Sequence, residues 1–282
     1  MKTSSLPIRR SNGLNKWLTG LALLAACLVH LTAREAPHVG PPTAHVLRLV
    51  EQGSFMELPP DVFNDFTEAT VEAWVKWNAF GNRYQRVFNY GAGGRDFGIT
   101  TLTGTNTLWF VIGDPTGGLK VAKVEKTLKA DEWTHVAAVA GSGGMKLYLN
   151  GALVATNPYT GCFKSLGPGN ANRLGQTVTA NVEDTPFDGE LAEVRVWQTA
   201  RSLEQIRDNM VTPLKGDEEG LAALWNFDDP ANPGRDASPN HHDGKLMGNA
   251  RSAKATVGDV AMAGNRPGGR DAIVFDGKSN GI

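Results

Sequence analysis

Cysteine is nearly absent from this chain, which has 2 cysteines, Cys27 and Cys162, among 282 residues. So few cysteines exclude a fold held together by several disulfides, and no His or Cys cluster has the spacing of a zinc site. An excess of basic residues is also lacking, since the formal net charge is −1. We therefore expect no nucleic-acid partner, because such proteins neutralise phosphates with clustered lysine and arginine.

A long apolar run is lacking as well. The stretch Trp17–Leu31 follows a basic region without acids and ends before Ala33. It is too short and too weakly apolar for a transmembrane span and is typical of a signal peptide, so we predict that residues 1–33 are removed. Their removal takes away four positive charges and lowers the net charge from −1 to −5.

Two alternatives for the N-terminus stay open. Leu24–Cys27 resembles the site at which bacterial lipoproteins are lipidated, which would anchor Cys27 in a membrane. The segment could also remain uncleaved as a membrane anchor. In each case we expect a secreted, periplasmic or cell-surface protein.

Glycine (33 residues) and proline (15 residues) are frequent, which indicates many turns. After a Pro-rich tether at residues 34–43, short segments such as Ala69–Trp77 alternate apolar and polar residues. Asn150-Gly151, between two apolar runs, is the preferred sequence of a type I′ hairpin turn. The pattern predicts an all-β fold, an antiparallel two-sheet β-sandwich. One helix is predicted at Leu203–Met210, where Ser202 and Gln205 form a capping box.

Three segments resemble a known family: Phe55–Trp77, Glu132–Thr156 and Phe187–Ile206. They hold, in order, Leu-Pro, aromatic-Thr-x-x-Ala/Val-x-x-Trp-Val, Trp-x-His-Val-Ala, Leu-Tyr-x-Asn-Gly, Phe-x-Gly-x-Leu-x-Glu-Val-Arg-Val-Trp and Ser-x-x-Gln-Ile. This order resembles the bacterial laminin-G-like jellyroll domain of the concanavalin A-like lectin/glucanase superfamily. The resemblance implies a jellyroll topology, and we place this domain at residues 44–215. The family usually has Asp where this chain has Ala192, which puts in doubt a metal or polar network there.

A second unit is predicted at residues 216–282. Gly220–Asp229 and Asp236–Gly248 resemble the leader strand and linker of the family, and Asp271–Ile282 matches the opening strand near His45. This unit is truncated at Ile282. Either the chain is the front of a longer protein, which we favour, or these strands fold back onto the first sandwich.

Two glutamates raise the question of catalysis, because glucanases of the superfamily carry Glu-x-Asp-x-Glu on one strand. Retaining hydrolysis needs two carboxyl groups about 5–5.5 Å apart on the same side of the sugar. Glu190 and Glu193 are three residues apart and have no Asp between them, so they should face opposite sides unless a bulge realigns them. We interpret Glu193 and Arg195 as surface partners and His135 as a hydrogen-bonded core histidine.

Calcium and glycan sites of the family, where present, lie on loops at one rim. The candidate calcium ligands are Asp96, Asp114, Asn181 and Asp184, with Glu183 nearby. The candidate aromatic residues for a sugar are Tyr159, Trp109 and Tyr90. Ca²⁺ is a possible cofactor, and solvated loop acids are the alternative interpretation.

The function expected from this resemblance is an extracellular, non-catalytic binding module of a larger multi-domain protein. Its partner would be a glycan or an extracellular protein, and anchoring through the N-terminus or lipidated Cys27 is possible. Two alternatives stay open: a glycan-active enzyme with its chemistry elsewhere, and a ligand-sensing ectodomain of a signalling protein. Jellyroll domains perform many unrelated functions, so the function has to be inferred from the residues of the binding site.

Overall fold

Strands form where apolar and polar side chains alternate, because successive residues of an extended chain face opposite sides. The computed structural model describes residues 40–50, 53–115, 118–179 and 186–255. In these residues the strands are β1 (His45–Leu49), β2 (Phe55–Leu58), β3 (Ala69–Trp77), β4 (Arg86–Ala92), β5 (Arg95–Thr101), β6 (Leu108–Asp114), β7 (Gly118–Val124), β8 (Trp133–Ala140), β9 (Met145–Leu149), β10 (Ala152–Asn157), β11 (Ala171–Leu174), β12 (Gly189–Trp197), β13 (Leu221–Trp225), β14 (Lys245–Met247) and β15 (Arg251–Lys254). A 3₁₀ turn lies at Phe163–Leu166, and one α-helix, α1, at Leu203–Asn209.

The strands pair into two antiparallel sheets. Sheet A has the order β10-β9-β8-β3-β12-β1-β15, and sheet B has the order β14-β2-β11-β4-β5-β6-β7. Two strands pair with the same edge of β12: β1 pairs with its first residues and β13 with its last residues. The predicted two-sheet β-sandwich is confirmed, and the topology is consistent with a jellyroll.

The core lies between the inner faces of the two sheets. Phe163 of the 3₁₀ turn sits at its centre, with its ring centroid 4.5 Å from Phe97 and 4.9 Å from Tyr90. Trp77 and Phe187 close the core beside β12 and are almost inaccessible to solvent. Each such buried ring contributes about 1.5–3 kcal/mol through the hydrophobic effect.

Two local predictions are confirmed. Asn150 and Gly151 have φ of 48° and 74°, the left-handed values that a type I′ turn requires. The Ser202 side chain accepts a hydrogen bond from the Gln205 backbone, and the Gln205 side chain accepts one from the Ser202 backbone. This capping box begins α1, which ends one residue before the predicted Met210.

Residues 216–255 contribute strands to the same sandwich. β13 and β15 extend sheet A beside β12 and β1, and β14 extends sheet B beside β2. Trp225 and Phe227 are buried in the core. The predicted leader strand thus completes the first sandwich. Residues 271–282, which match an opening strand, lie outside the described residues, so the second unit and the proposed domain boundaries stay predictions.

The N-terminal predictions also lie outside the described residues. These are the signal peptide at residues 1–33 with Cys27, and residues 34–39 of the tether. Within the part of the chain that the structure describes, no helix is long and apolar enough to cross a membrane.

We predict that truncation after Lys215 unfolds the domain. The truncation removes Leu224, Trp225 and Phe227, which are at most 1% exposed. Their loss should cost roughly 5 kcal/mol or more, comparable with the whole stability of a domain. Urea denaturation would compare this chain with one that ends after Ala255, which should keep the stability of the full chain. Equal midpoints for the two truncated chains would contradict the prediction.

Candidate functional site

The outer face of sheet A is covered by the segment 202–214, which contains α1 and which we call the strap. Ile206 of α1 is fully buried against Val139 and Tyr148 of sheet A. After the helix, the Met210 carbonyl accepts a hydrogen bond of 2.7 Å from the Trp74 indole. The strap therefore limits access to the middle of this face.

A buried ionic network lies beneath the strap. Arg195 of β12 donates to Glu193 Oε2 at 2.7 Å, and its Nη1 lies 3.6 Å from Glu72 Oε1. The same guanidinium donates to the carbonyl oxygens of Asn209 and Thr212 at 3.0 and 2.9 Å. Because a buried ion without a partner costs several kcal/mol, these bonds hold the strap on the sheet.

A β-bulge changes the relation between the two glutamates of β12. The register shifts between Ala192 and Arg195, and Glu193 has φ of 49°, in the left-handed region. The bulge turns Glu193 towards Arg195, on the outer side of sheet A that Glu190 also faces. Glu190 and Glu193 therefore lie on the same side of the sheet. They would face opposite sides, as expected, only in a strand without the bulge.

Both glutamates are engaged in ion pairs. Glu190 pairs with Arg48 and with Lys76 Nζ at 2.8 Å, and Glu193 pairs with Arg195. Glu193 and Arg195 are partners on one face, as interpreted, but the surface position was wrong, since they are 2% and 1% exposed. Burial raises the pKa of Glu193, and Arg195 opposes that rise.

The position at which the family usually has Asp is apolar in this chain. Ala192 packs with Val46, Trp74 and Trp133 in a small hydrophobic cluster on the outer side of sheet A. A polar or metal-binding network at this position would need a carboxylate that the alanine lacks.

His135 lies in the same buried region and is 1% exposed. Its Nε2 is 3.6 Å from Glu72 Oε2, and its Nδ1 has no hydrogen-bond partner in the part of the chain that the structure describes. Burial lowers the pKa of His135 to about 4, which the Glu72 charge partly opposes. His135 is buried, as expected of a core histidine. Its Nδ1 does not form the side-chain hydrogen bond that was also expected.

Sheet B carries a second polar cluster on its outer side, where Asn89 is 0% and Asp96 7% exposed. In one row across the strands, Arg173 of β11 stands beside Asn89 of β4, and Asn89 stands beside Gly98 of β5. The next row places Arg86 of β4 beside Thr100, and Thr100 beside Trp109 of β6. We use the name sheet B face for six residues: Arg86, Asn89, Asp96, Gly98, Trp109 and Arg173.

The centre of the sheet B face is held by hydrogen bonds. The Asn89 amide donates to Asp96 Oδ2 at 2.7 Å, and Arg86 Nη1 lies 3.5 Å from the same oxygen. The other end of the Asn89 amide accepts a bond of 2.8 Å from the Val178 backbone. These bonds orient one carboxylate, one amide and one guanidinium towards the same small area.

Arg173 lies at one side of this centre. Its Nη1 donates to the Thr177 carbonyl at 2.8 Å, and its guanidinium carbon lies 5.0 Å from the centroid of the Phe55 ring. The stacked ring supports the flat guanidinium, which keeps the cation beside Asn89.

Glycines form the floor of the sheet B face. A Cβ at Gly98 would lie 3.1 Å from Arg86 Nη1 and from Asn89 Nδ2. A Cβ at Gly113 would lie 2.2 Å from the Gly94 carbonyl oxygen and 3.1 Å from Asp96 Oδ1. Side chains at these positions would crowd the space around Asp96, so the glycines keep its carboxylate uncrowded.

Aromatic side chains flank this floor. Trp109 is half-buried, and its indole N–H has no hydrogen-bond partner among the described residues. Tyr84, with φ of 43°, is also half-buried, and its ring centroid lies 5.9 Å from the Arg86 guanidinium carbon. The surface thus combines apolar ring area with a few fixed polar groups.

Asp96 and Asp114, the two predicted calcium ligands among the described residues, face opposite sides of sheet B. Asp96 shares the outer face with Gly113, so Asp114, the next residue of β6, faces the other side. Asn181 and Asp184 lie outside the described residues, as does Glu183. No group of three or more His, Cys, Asp or Glu side chains that could hold a metal occurs in residues 40–50, 53–115, 118–179 and 186–255.

The Asp96 carboxylate has nitrogen partners in this structure. It accepts an amide N–H and lies beside a guanidinium, whereas Ca²⁺ takes six to eight oxygen ligands. Asp96 and Asp114 are therefore not ligands of one calcium ion in this arrangement.

Two of the predicted sugar-binding aromatics lie away from the sheet B face. Tyr90 is 0% exposed and its hydroxyl donates to Asn64 Oδ1 at 2.5 Å, so its ring offers no surface to a sugar. Burial raises the pKa of Tyr90 to about 12. Tyr159 is half-buried, with its ring 5.6 Å from Lys120 Nζ. Burial raises its pKa, and the nearby Asp114 raises it further.

Arg86, Asn89 and Arg173 were missed by the sequence interpretation. One register shift, between Arg86 and Phe88, places an extra residue in β4. Arg86 and Asn89 are three residues apart and share a face only because of this bulge. The Gly residues of β5 and β6 were the available signal, since glycine inside a strand often marks close approach of a ligand or backbone.

We predict that Arg195→Met strongly destabilises the domain. The change leaves Glu72 and Glu193 as buried acids without their guanidinium and releases the strap, which should cost about 3–5 kcal/mol. Urea denaturation would measure the free energy of unfolding. Arg207→Met, on the exposed side of α1, is the matched control and should stay within about 0.5 kcal/mol. A similar small change for both variants would refute the role of Arg195.

We also predict a pH dependence of stability that comes from His135. Its folded-state pKa of about 4 lies below the ordinary value of 6.5. As the pH falls, His135 is therefore protonated in the unfolded chain at a higher pH than in the folded chain. The free energy of unfolding decreases between pH 6.5 and about pH 4, by at most about 1.4 kcal/mol per pH unit. Denaturation midpoints of the protein and of His135→Gln would be compared across this range. An unchanged acid dependence in the variant would rule out this residue as the cause.

Known structures share this fold. A protein from Bacteroides ovatus ATCC 8483, to which carbohydrate binding has been ascribed, is 20% identical with a TM-score of 0.57, and the match covers 77% of this chain and 60% of that one. The CBM40 module of the Ruminococcus gnavus IT-sialidase, solved with α2,3-sialyllactose, is 15% identical with a TM-score of 0.50, covering 61% of this chain and 100% of the module. At these identities the likeness establishes the fold.

Sequence comparison identifies the family directly. No curated protein sequence matches the chain. The Laminin_G_3 family model, of the concanavalin A-like lectin/glucanases superfamily, matches residues 51–207, which is more than half of the chain. The resemblance predicted from the sequence is confirmed, and the chain belongs to this laminin-G-like family.

Proposed function

We propose that this protein is a glycan-binding module and that the glycan lies on the sheet B face. The observation that carries the proposal is the half-buried Trp109, which lies in the same row as Arg86 across Thr100, on the face where Arg86 and Asn89 meet Asp96 over glycines. Sugar rings have apolar C–H faces and a rim of hydroxyl groups. A surface that binds them needs an apolar platform and a few oriented polar groups, and this face has both.

The polar groups of the face suit a sugar because they are fixed before binding. The second oxygen of Asp96, which is 7% exposed, would accept a hydrogen bond from a sugar hydroxyl, while the buried Asn89 amide, bonded to the Val178 backbone, holds the carboxylate in place. The Arg173 guanidinium carries donors for hydroxyl or ring oxygens. Pre-organised groups lose little conformational entropy on binding, which favours affinity in a shallow site.

The same proposal makes the module non-catalytic. Retaining hydrolysis needs two accessible carboxyl groups, and inverting hydrolysis needs a pair that leaves room for water. Glu190 and Glu193 are 2% exposed and paired with Arg48, Lys76 and Arg195. Asp96, the carboxylate of the proposed site, has no second carboxylate among the residues of the sheet B face.

We further propose that the module acts outside the cytoplasm and belongs to a larger protein. The basic and apolar residues 1–33 favour export, and anchoring through Cys27 is the alternative to a cleaved leader. The match of residues 271–282 to the opening strand favours a following unit. Glycan binding agrees in kind with the CBM40 module, which shares this fold.

A glycan array of the full chain tests the proposal. We expect binding that falls at least tenfold in Trp109→Ala, because the apolar platform is lost. Gly98→Ala should also weaken binding, since its Cβ would lie 3.1 Å from Arg86 and Asn89. Leu153→Ala is the matched control, because Leu153 is 49% exposed on β10 of sheet A and should not affect binding.

The array is run both with Ca²⁺ and with chelator. We expect the same affinity in both, because the Asp96 carboxylate faces N–H donors. Loss of binding in chelator would point to the candidate ligands outside the described residues, Asn181 and Asp184. Absence of any glycan binding, or binding unchanged in Trp109→Ala and Gly98→Ala, would contradict a glycan site on this face.

A further inference from the structure

A row of basic side chains crosses one edge of sheet A on its outer side. β15 is the edge strand there, and Arg251 of β15 lies directly opposite Arg48 of β1. Farther along the row, Glu190 of β12 lies between Arg48 and Lys76 of β3. Directly opposite residues of an antiparallel pair put their side chains on the same face. This basic row, Arg251, Arg48, Glu190 and Lys76, thus holds three cations and one carboxylate.

The carboxylate of the basic row is already shared by two of these cations. Arg48 donates from Nε and Nη2 to Glu190 Oε1, and Lys76 Nζ lies 2.8 Å from Glu190 Oε2. Glu190 is 2% exposed, so salt and water screen these pairs little. Asp188, two residues before Glu190, is also engaged, since its Oδ1 accepts the Asn78 amide at 2.7 Å. Both acids at this end of β12 therefore have partners other than Arg251.

Arg251 lacks an acid partner. Its Nη1 donates to the Asn249 carbonyl at 3.3 Å, and no carboxylate lies within ion-pair distance of its guanidinium in the part of the chain that the structure describes. Arg251 is exposed, and the Arg48 side chain is 35% exposed. Like charges directly opposite each other on neighbouring strands destabilise a sheet. The pairing of Arg251 with Arg48 therefore favours an anion bound beside them.

The two guanidinium groups have the donors that a phosphate group requires. A guanidinium is flat, and its forked N–H groups match two oxygens of one phosphate. Nη1 of Arg48, and Nε and Nη2 of Arg251, make no hydrogen bond among the described residues. A phosphate monoester carries a charge of about −1.5 to −2 near pH 7, which offsets both cations, whereas one carboxylate would offset one.

We propose that Arg251 and Arg48 form a binding site for a phosphate ester at the β15 edge of sheet A. Two phosphate oxygens accept hydrogen bonds from Nε and Nη2 of Arg251, and a third oxygen accepts one from Arg48 Nη1. Glu190 holds the Arg48 side chain on this face. The site belongs to the other sheet from the sheet B face and does not require that face to bind a glycan.

The test is a titration of the ¹⁵N-labelled full chain with methyl phosphate, in chloride at constant ionic strength and at a pH where the ester is a dianion. We expect saturable shifts of the Arg48 and Arg251 amides. Arg251→Met should weaken binding at least about tenfold, because it removes the forked donors. Lys254→Met is the matched control, since Lys254 is an exposed cation of the same strand that lies opposite His45 and faces the other side of the sheet.

Urea denaturation gives an independent result. In chloride, Arg251→Met should be at least as stable as the unchanged chain, because it removes a like-charge contact. Methyl phosphate should raise the denaturation midpoint of the unchanged chain and of Lys254→Met, but not that of Arg251→Met. Equal effects of the ester on all three proteins, or no shift of the Arg48 and Arg251 amides, would overturn the proposal.

Vesicles identify the source of the phosphate ester. The full chain is sedimented with phosphatidylcholine vesicles that contain or lack phosphatidic acid. Sedimentation that requires both phosphatidic acid and Arg251 would assign the site to a lipid headgroup. Binding of methyl phosphate without such sedimentation would assign it to a soluble phosphate ester. Sedimentation that is the same in Arg251→Met, without any binding of methyl phosphate, would contradict the site.

Discussion

The buried guanidinium of Arg195 is the interaction on which the arrangement of this domain depends. It joins Glu193 of its own strand, Glu72 of β3 and two carbonyl groups at the end of the strap. α1 has seven residues, too few for a stable isolated helix, so tertiary bonds must hold it. Without the guanidinium, Glu193 would lose its ion-pair partner, Glu72 would lose a nearby positive charge, and the strap would lose its anchor.

The strap gives the two sheets different roles. On sheet A, the polar side chains of the outer face are used for internal bonding, as in the Trp197 indole that donates to Glu72 Oε1 at 2.9 Å. On sheet B, Asp96, Asn89 and Arg86 form a small cluster over glycines, and Trp109 lies in the same row as Arg86, across Thr100. One face stabilises the fold, and the other carries the cluster that we propose as a glycan site.

The two bulges explain why carboxylates and cations lie where they do. The bulge at Glu193 brings this acid beside Arg195, and the bulge at Val87 brings Arg86 to the face of Asn89. In both cases one extra residue reverses the side of a charged side chain. From residue spacing alone, Glu193 and Arg86 would each be placed on the opposite face of their sheet. For this reason the sequence suggested that Glu190 and Glu193 face opposite sides.

The sequence by itself determined the features that depend on neighbouring residues. The alternation of β3, the Asn150-Gly151 turn and the capping box of Ser202 rest on local dihedral angles and local hydrogen bonds, and the motif order identified the family. Tertiary structure alone decided which residues form a site. Arg173 meets Asn89 through strand register, Tyr90 is buried by packing across the sandwich, and the strap covers sheet A through bonds to Arg195. Such contacts join residues far apart in the chain, and no local pattern encodes them.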